Sequence, residues 1–258
     1  MRTCLLAAVL AMIAMPVSAE FEPWVPDFST YTLGDVNGQD GWTDSSKSVQ
    51  VVDTDHGRAL LLSGDASPTL RNANFLSPVN PATNLPYSQC IAFDIWFSDT
   101  AASLTQHENM DFQVNIIQWL LGKNWNYLVA FGYVRGHVTT DNSLQYRPTD
   151  AATQSFAPFE AQTWYRVEMV FDMEAHEGWI TVQPEGGALW ESDKTPLNYG
   201  WEWSPDFFFL ANNVKAWDGT VVPVSYYLAN VSVTPLVPEP ATMSLLGLGA
   251  LALLRRRR

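Results

Sequence analysis

Basic side chains are scarce in this sequence. Its 14 Lys and Arg stand against 27 Asp and Glu, for a net charge of −13. The basic residues crowd at the ends (Arg2 and Arg255 to Arg258), whereas among the acids only Glu239 does. The body between is therefore more acidic than the whole. Such a body is repelled by a phosphate backbone, which excludes nucleic acid as a partner. The same acidity suits solubility and loose binding of divalent cations. Cysteine is nearly missing: Cys4 sits in an N-terminal apolar segment, which leaves Cys90 alone in the body. No internal disulfide can form there, and the fold must be held by its core. No apolar run reaches the roughly 20 residues that span a bilayer comfortably. No Gly-x-Ser-x-Gly, phosphate loop or His-Glu-x-x-His string occurs. The histidines His56, His107, His137 and His176 lie far apart, without the spacing of metal ligands, and read as surface residues.

What is present begins with two export signals. Arg2 precedes an apolar run from Leu5 to Met15, then Val17-Ser18-Ala19. This is the pattern of a secretory signal peptide over residues 1–19, cut between Ala19 and Glu20. At the other end, Val237-Pro238-Glu239-Pro240 is followed by an apolar segment from Ala241 to Leu254 and four arginines. Cationic side chains behind an apolar run stay on the cytoplasmic side, because moving them through lipid is costly. The chain is expected to pause in the inner membrane with its body outside. Residues 237–258 resemble the PEP-CTERM sorting signal of Gram-negative bacteria that make exopolysaccharide. The resemblance implies recognition of Pro238, Glu239 and Pro240 by an exosortase-type membrane protease, transient membrane association, and delivery to the surface or extracellular matrix.

Residues 20–236 remain as one body, and it holds all 11 Trp. Short runs alternate between apolar and polar residues and are separated by turn formers, the signature of strands. Cys90 to Phe97 puts Ile91, Phe93, Ile95 and Phe97 on one face and Cys90, Ala92, Asp94 and Trp96 on the other. Trp164 to Met173 puts Tyr165, Val167, Met169, Phe171 and Met173 on one face. Trp164, Arg166, Glu168, Val170 and Asp172 take the other. Further strands are expected at Arg58–Leu62, Phe112–Trp119, Tyr127–Val134, Trp179–Val182, Phe207–Leu210 and Tyr226–Val233. A turn at Glu174–Gly178 would close a hairpin. Strands without crossover helices predict an all-β, antiparallel sandwich. The ordered phrases FSTYTLGDVNGQDGW, GRALLLSG, IAFDIWF, TWYRVEMVFDM and YYLANVSVTP resemble a concanavalin A-like lectin/glucanase (LamG-like) jelly roll.

Three groups of residues are candidates for a site. Asp35, Asn37 and Asp40 lie in a loop with the look of a calcium ligand set, with Asp53 and Asp55 as a second contributor. The spacing departs from an EF-hand, whose sixth position is glycine and twelfth a bidentate acid; here those positions are Asp40 and Ser46. The simpler reading is a pair of turns, Asn37-Gly38 and Asp40-Gly41, with Trp42 packed at the sandwich edge. Calcium is the one cofactor that enters the expectation. The second group is aromatic: Trp190, Trp201, Trp203 and Trp217 in loop-rich sequence, with Asn212, Asn213 and Asp218 nearby, could bind the faces and hydroxyls of a sugar. The third is catalytic and is not found. Glucanases of the resembled superfamily carry Glu-x-Asp-x-x-Glu on one strand, which this chain lacks. Glu168 and Asp172 beside Arg166 read as a solvated face. The expected function is a non-catalytic surface or exopolysaccharide-associated protein that binds glycan weakly. The alternatives are a divergent polysaccharide hydrolase or lyase, and a purely structural matrix protein.

Overall fold

Alternate residues of a strand face opposite ways, so a strand apolar on one face must bury that face against another layer. The computed structural model describes residues 21–63, 69–72, 74–75, 79–80, 85–97, 112–120, 135–137, 143–146, 154–158, 160, 162–196, 203–211, 214–215, 221–222 and 225–236. Its long strands are β1 (Gln50–Thr54), β2 (Gly57–Ser63), β3 (Gln89–Phe97), β4 (Phe112–Leu120), β5 (Trp164–Asp172), β6 (Glu177–Pro184), β7 (Trp203–Ala211) and β8 (Ser225–Pro235). One sheet has nine strands in the order Gly34–Asp35, β1, β2, β8, β3, β5, β6, Trp190–Glu191, with Thr195–Pro196 also paired to β6. A second sheet runs Trp42–Asp44, Thr69–Asn72, β7, β4. The pairings within both are antiparallel.

The expected alternation of β3 and β5 is what builds the core. Ile91, Phe93, Ile95, Phe97, Tyr165, Val167, Met169 and Phe171 are at most 2% exposed. Register sets Val167 beside Phe93 and Tyr165 beside Ile95. Trp42 and Leu70, from the other sheet, join the same cluster, so it lies between the two layers. Burying each such large side chain stabilises the fold by about 1.5–3 kcal/mol relative to leaving it in water. Trp42 is wholly buried, packing edge-on to Phe28 and Phe75. It is a core residue rather than the edge contact expected from sequence.

The hairpin after β5 turns at Met173–His176, with His176 at φ +56°, and Asp172 pairs with Glu177. The turn therefore begins one residue before the expected Glu174–Gly178 and ends two residues before it does. Strand β8 changes phase midway. Tyr226 and Leu228 point inward, then Val231 and Val233 do, because a bulge at Asn230 (φ +47°) inserts one residue. The expected strand at 127–134 lies outside the described residues. Among the described residues no helix is long and apolar enough to cross a membrane; one 3-10 turn, Phe28–Thr30, is capped by the Asp27 carboxylate.

Candidate functional site

The calcium-like loop is built as two turns. Gln39 N–H donates to Val36 C=O (3.0 Å) and Trp42 N–H to Gln39 C=O (3.0 Å). Asp40, Gly38 and Gly41 supply the positive φ that such turns need. Its oxygens accept from the protein itself. Asp35 Oδ1 takes the Asn37 backbone N–H and side-chain amide at 2.9 and 2.7 Å. Those bonds hold its carboxyl below the usual range. Asn37 Oδ1 takes Asp44 N–H at 2.7 Å. Asp40 Oδ2 takes the Trp24 indole at 2.9 Å and the Tyr31 hydroxyl at 3.1 Å. Asp44, buried, accepts from the backbone of Ser46, Ser48 and Val49. The loop ties the N-terminal segment to the second sheet. Asp53 pairs with Arg58 at 3.0 Å, and Asp55 is exposed in the β1–β2 turn. Among the described residues no three His, Cys, Asp or Glu converge as a metal would require.

The outer face of the nine-stranded sheet carries something the sequence did not announce. Antiparallel register lines up Tyr227 of β8, Trp96 of β3 and Trp164 of β5 in one row. The next row is Ala229, Asp94, Arg166 and Gln183. The aromatic row packs with Ala59 and Ala229 into a second, smaller apolar cluster, so this face is only partly wetted. Above it opens a pocket of about 350 Å³. Trp164, only 8% exposed, contributes a small apolar edge to its floor, and His56, from the β1–β2 turn, packs against that ring with centroids 5.0 Å apart and forms one wall. Pro184, the last residue of β6, forms the rim with Glu185 and Gly186. That rim is fixed: Glu185 N–H donates to Trp164 C=O at 2.8 Å and Gly187 N–H to Pro184 C=O at 2.9 Å. A Cβ on Gly187 would lie 2.4 Å from Pro184 Cγ, so only glycine closes this turn.

The polar side of the pocket is held from three strands. Arg166 Nη1 donates to Asp94 Oδ1 at 3.1 Å and to Asn230 C=O at 3.1 Å. Its Nε lies 3.6 Å from Glu168 Oε1. Asn230 Nδ2 donates to Asp94 Oδ2 at 2.6 Å. The bulge therefore re-aims an amide and a carbonyl so that both oxygens of Asp94 are engaged. On the rim, Glu185 Oε2 stands 3.7 Å from His56 Nε2 and is 61% exposed. Two carboxylates thus border the pocket against one guanidinium, and Glu168 draws on that guanidinium from the far side. Cys90 lies lower on the same face, and burial, then the Glu168 charge, push its thiol up to about 11 despite the opposing pull of Arg166. It is a free, half-buried thiol packed on this face.

The sugar-platform candidates are spread more widely. Trp190 lies on an edge strand, half-buried and packed against the main core, not in an open loop. Trp203 opens β7. Trp201, Asn212, Asn213, Trp217 and Asp218 lie outside the described residues, as do Ala19, Glu20, Val237, Pro238, Glu239 and Pro240. Of the histidines read as surface groups, His56 is exposed but lines the pocket. Asp94, Trp164 and Arg166 were legible only as outward positions on two strands. What joins them is register between strands distant in sequence, which no local pattern records.

Residues 236–258 match the family model described as the PEP-CTERM protein-sorting motif. No curated protein matches the chain. Among solved structures, the seed lectin of Lotus tetragonolobus is similar over 84% of this chain and 100% of that one, with a TM-score of 0.52 and 10% identity. The acidic lectin of winged bean, solved with methyl-α-D-galactose, is similar over 83% and 99%, at 0.53 and 9%. A sialidase is similar over 84% of this chain and 19% of its own, at 0.50 and 14%. The chain thus spans about a fifth of the sialidase's length. At such identity the likeness carries the fold alone: an antiparallel jelly-roll sandwich of the lectin type. The sorting motif marks an exported protein that an exosortase handles.

Proposed function

We propose that this exported protein binds glycan without turning it over, at the cell surface or in the exopolysaccharide around it. The pocket over Trp164 carries the reading. Its volume of about 350 Å³ suits one or two sugar units. An apolar floor with fixed donors and acceptors at the sides is the usual make-up of a small-ligand site. Binding is favoured over hydrolysis by the state of Asp94, the less exposed of the two bordering carboxylates. Both its oxygens accept from Asn230 and Arg166, which is the geometry of a fixed acceptor held within the sheet. The jelly-roll fold and the sorting tail agree with a surface role for residues 20–236.

The test is a glycan array probed with the full chain in mild detergent, with and without a calcium chelator. A hit weakened about tenfold by Asp94→Asn, roughly the weight of one hydrogen bond to a charged group, supports the reading. A hit untouched by Asp94→Asn but weakened by Trp201→Ala or Trp203→Ala moves the site to the loop aromatics. Loss with chelator restores calcium through Asp35, Asn37, Asp40, Asp53 or Asp55. Silence across a broad array makes the protein a scaffold.

A further inference from the structure

The charge arrangement of this pocket selects among glycans. We propose that its ligand is an aminated sugar, a hexosamine unit with a free ammonium, seated against Glu185 on the rim; this rests on the glycan-binding reading above. The positive group already present is shared among acids. Arg166 gives Nη1 to Asp94 and Asn230, and its Nε faces Glu168. A uronate or sulfate entering the pocket would meet Glu185 and Asp94 and would have to compete with Asp94 and Glu168 for that one guanidinium. Glu185, by contrast, is 61% exposed, and its ion-pair partner among the described residues is His56, at 3.7 Å. An ammonium on a sugar ring in this pocket would gain an ion pair at Glu185 and displace nothing buried. Ring hydroxyls would fall to Gln183, whose side chain is exposed beside Arg166 on the neighbouring strand.

Three oligosaccharides of equal length separate the classes: de-N-acetylated chitin, its N-acetylated parent, and oligogalacturonate. Calorimetric titration of the full chain should rank them aminated, then acetylated, then uronate with no detectable binding. Glu185→Gln, at an exposed position, should lower the ratio of aminated to acetylated affinity roughly three- to fivefold, the worth of one solvent-facing ion pair. Glu174→Gln, an exposed acid in the turn after β5, should leave that ratio alone. Equal affinity for the aminated and acetylated forms, tighter binding of the uronate, or the same drop from Glu174→Gln overturns the proposal. If these oligomers fail while other neutral glycans bind on the array, the ligand class is wrong and the glycan reading survives. If nothing binds on either assay, both fall.

Discussion

Gln89 is wholly buried at the start of β3, yet neither its amide nitrogen nor its amide oxygen has a hydrogen-bond partner. Its register neighbours are Phe171 and Pro235. A buried polar group left unpaired forfeits about 1–3 kcal/mol of hydration. Gln89→Met keeps the length and removes both polar atoms. It should raise unfolding stability by about 1–3 kcal/mol, read from the urea midpoint at unchanged slope. A lower midpoint would show that the amide serves the core. The ionisable groups of the interior point the other way at high pH. Burial raises Cys90 to about 11 and raises Tyr31, Tyr165 and Tyr226 above their ordinary value. An unfolded chain releases these protons first, so above pH 9 it binds fewer protons than the folded one, and stability falls as pH rises. Cys90 accounts for the earliest part, between the ordinary thiol value of 9.0 and about 11. Cys90→Ala should therefore flatten the pH dependence of the unfolding free energy in that window and leave it unchanged near neutrality. A slope equal to wild type would place the alkaline loss elsewhere.

At the scale of the strand, the bulge at Asn230 decides both packing and pocket. It lets Tyr226 and Leu228 on one side, and Val231 and Val233 on the other, all reach the core. Deleting Asn230 restores strict alternation and turns Val231 and Val233 outward, and the chain should fail to fold. Asn230→Gly tolerates φ +47° and loses only the amide that holds Asp94. It should keep native circular dichroism while weakening ligand. Asn230→Ala should cost about 1–2 kcal/mol for the left-handed backbone. If Gly proves less stable than Ala, the backbone argument fails. The same strands show what sequence can and cannot reveal. Alternation in β3 and β5 is local, and it was readable residue by residue down to Phe171. The double turn before Trp42 was readable from Asn37-Gly38 and Asp40-Gly41. The burial of Trp42 was not, because the aromatics that enclose it, Phe28 and Phe75, come from separate segments. The pocket was hidden for the same reason. Asp94, Arg166 and Asn230 meet through |i−j| of 72, 64 and 136, and spacing along the chain says nothing about such pairs.

Across the whole molecule, the central strand and the sorting tail are one continuous piece of chain. β8 lies between β2 and β3 in the middle of the large sheet. Its last residues are pinned from both sides: Val233 exchanges bonds with Trp24 at 2.8 Å, and Leu236 N–H donates to Ser88 C=O at 2.9 Å. The match to the sorting motif begins at that same Leu236. Pro238-Glu239-Pro240 therefore follows the folded sheet with almost no linker. From Leu236 to the apolar segment at Ala241 the chain can span at most roughly 16–18 Å when fully extended. A protease working at the membrane surface must reach the motif beneath a folded sandwich, or act before β8 docks. Because β8 is central, undocking it would cost most of the large sheet, so the expectation is that this short tether limits access once the sheet has folded. Inserting about eight Gly/Ser residues between Leu236 and Val237 adds a flexible segment whose own root-mean-square span is about 15 Å. In a host that carries the cognate exosortase, the insertion should speed conversion of the precursor to the shorter form, seen by pulse-chase electrophoresis, while the fold and the Trp164 pocket stay as they are. Unchanged processing would mean that the tail is handled while β8 is still unpaired, which places sorting ahead of folding of the sheet.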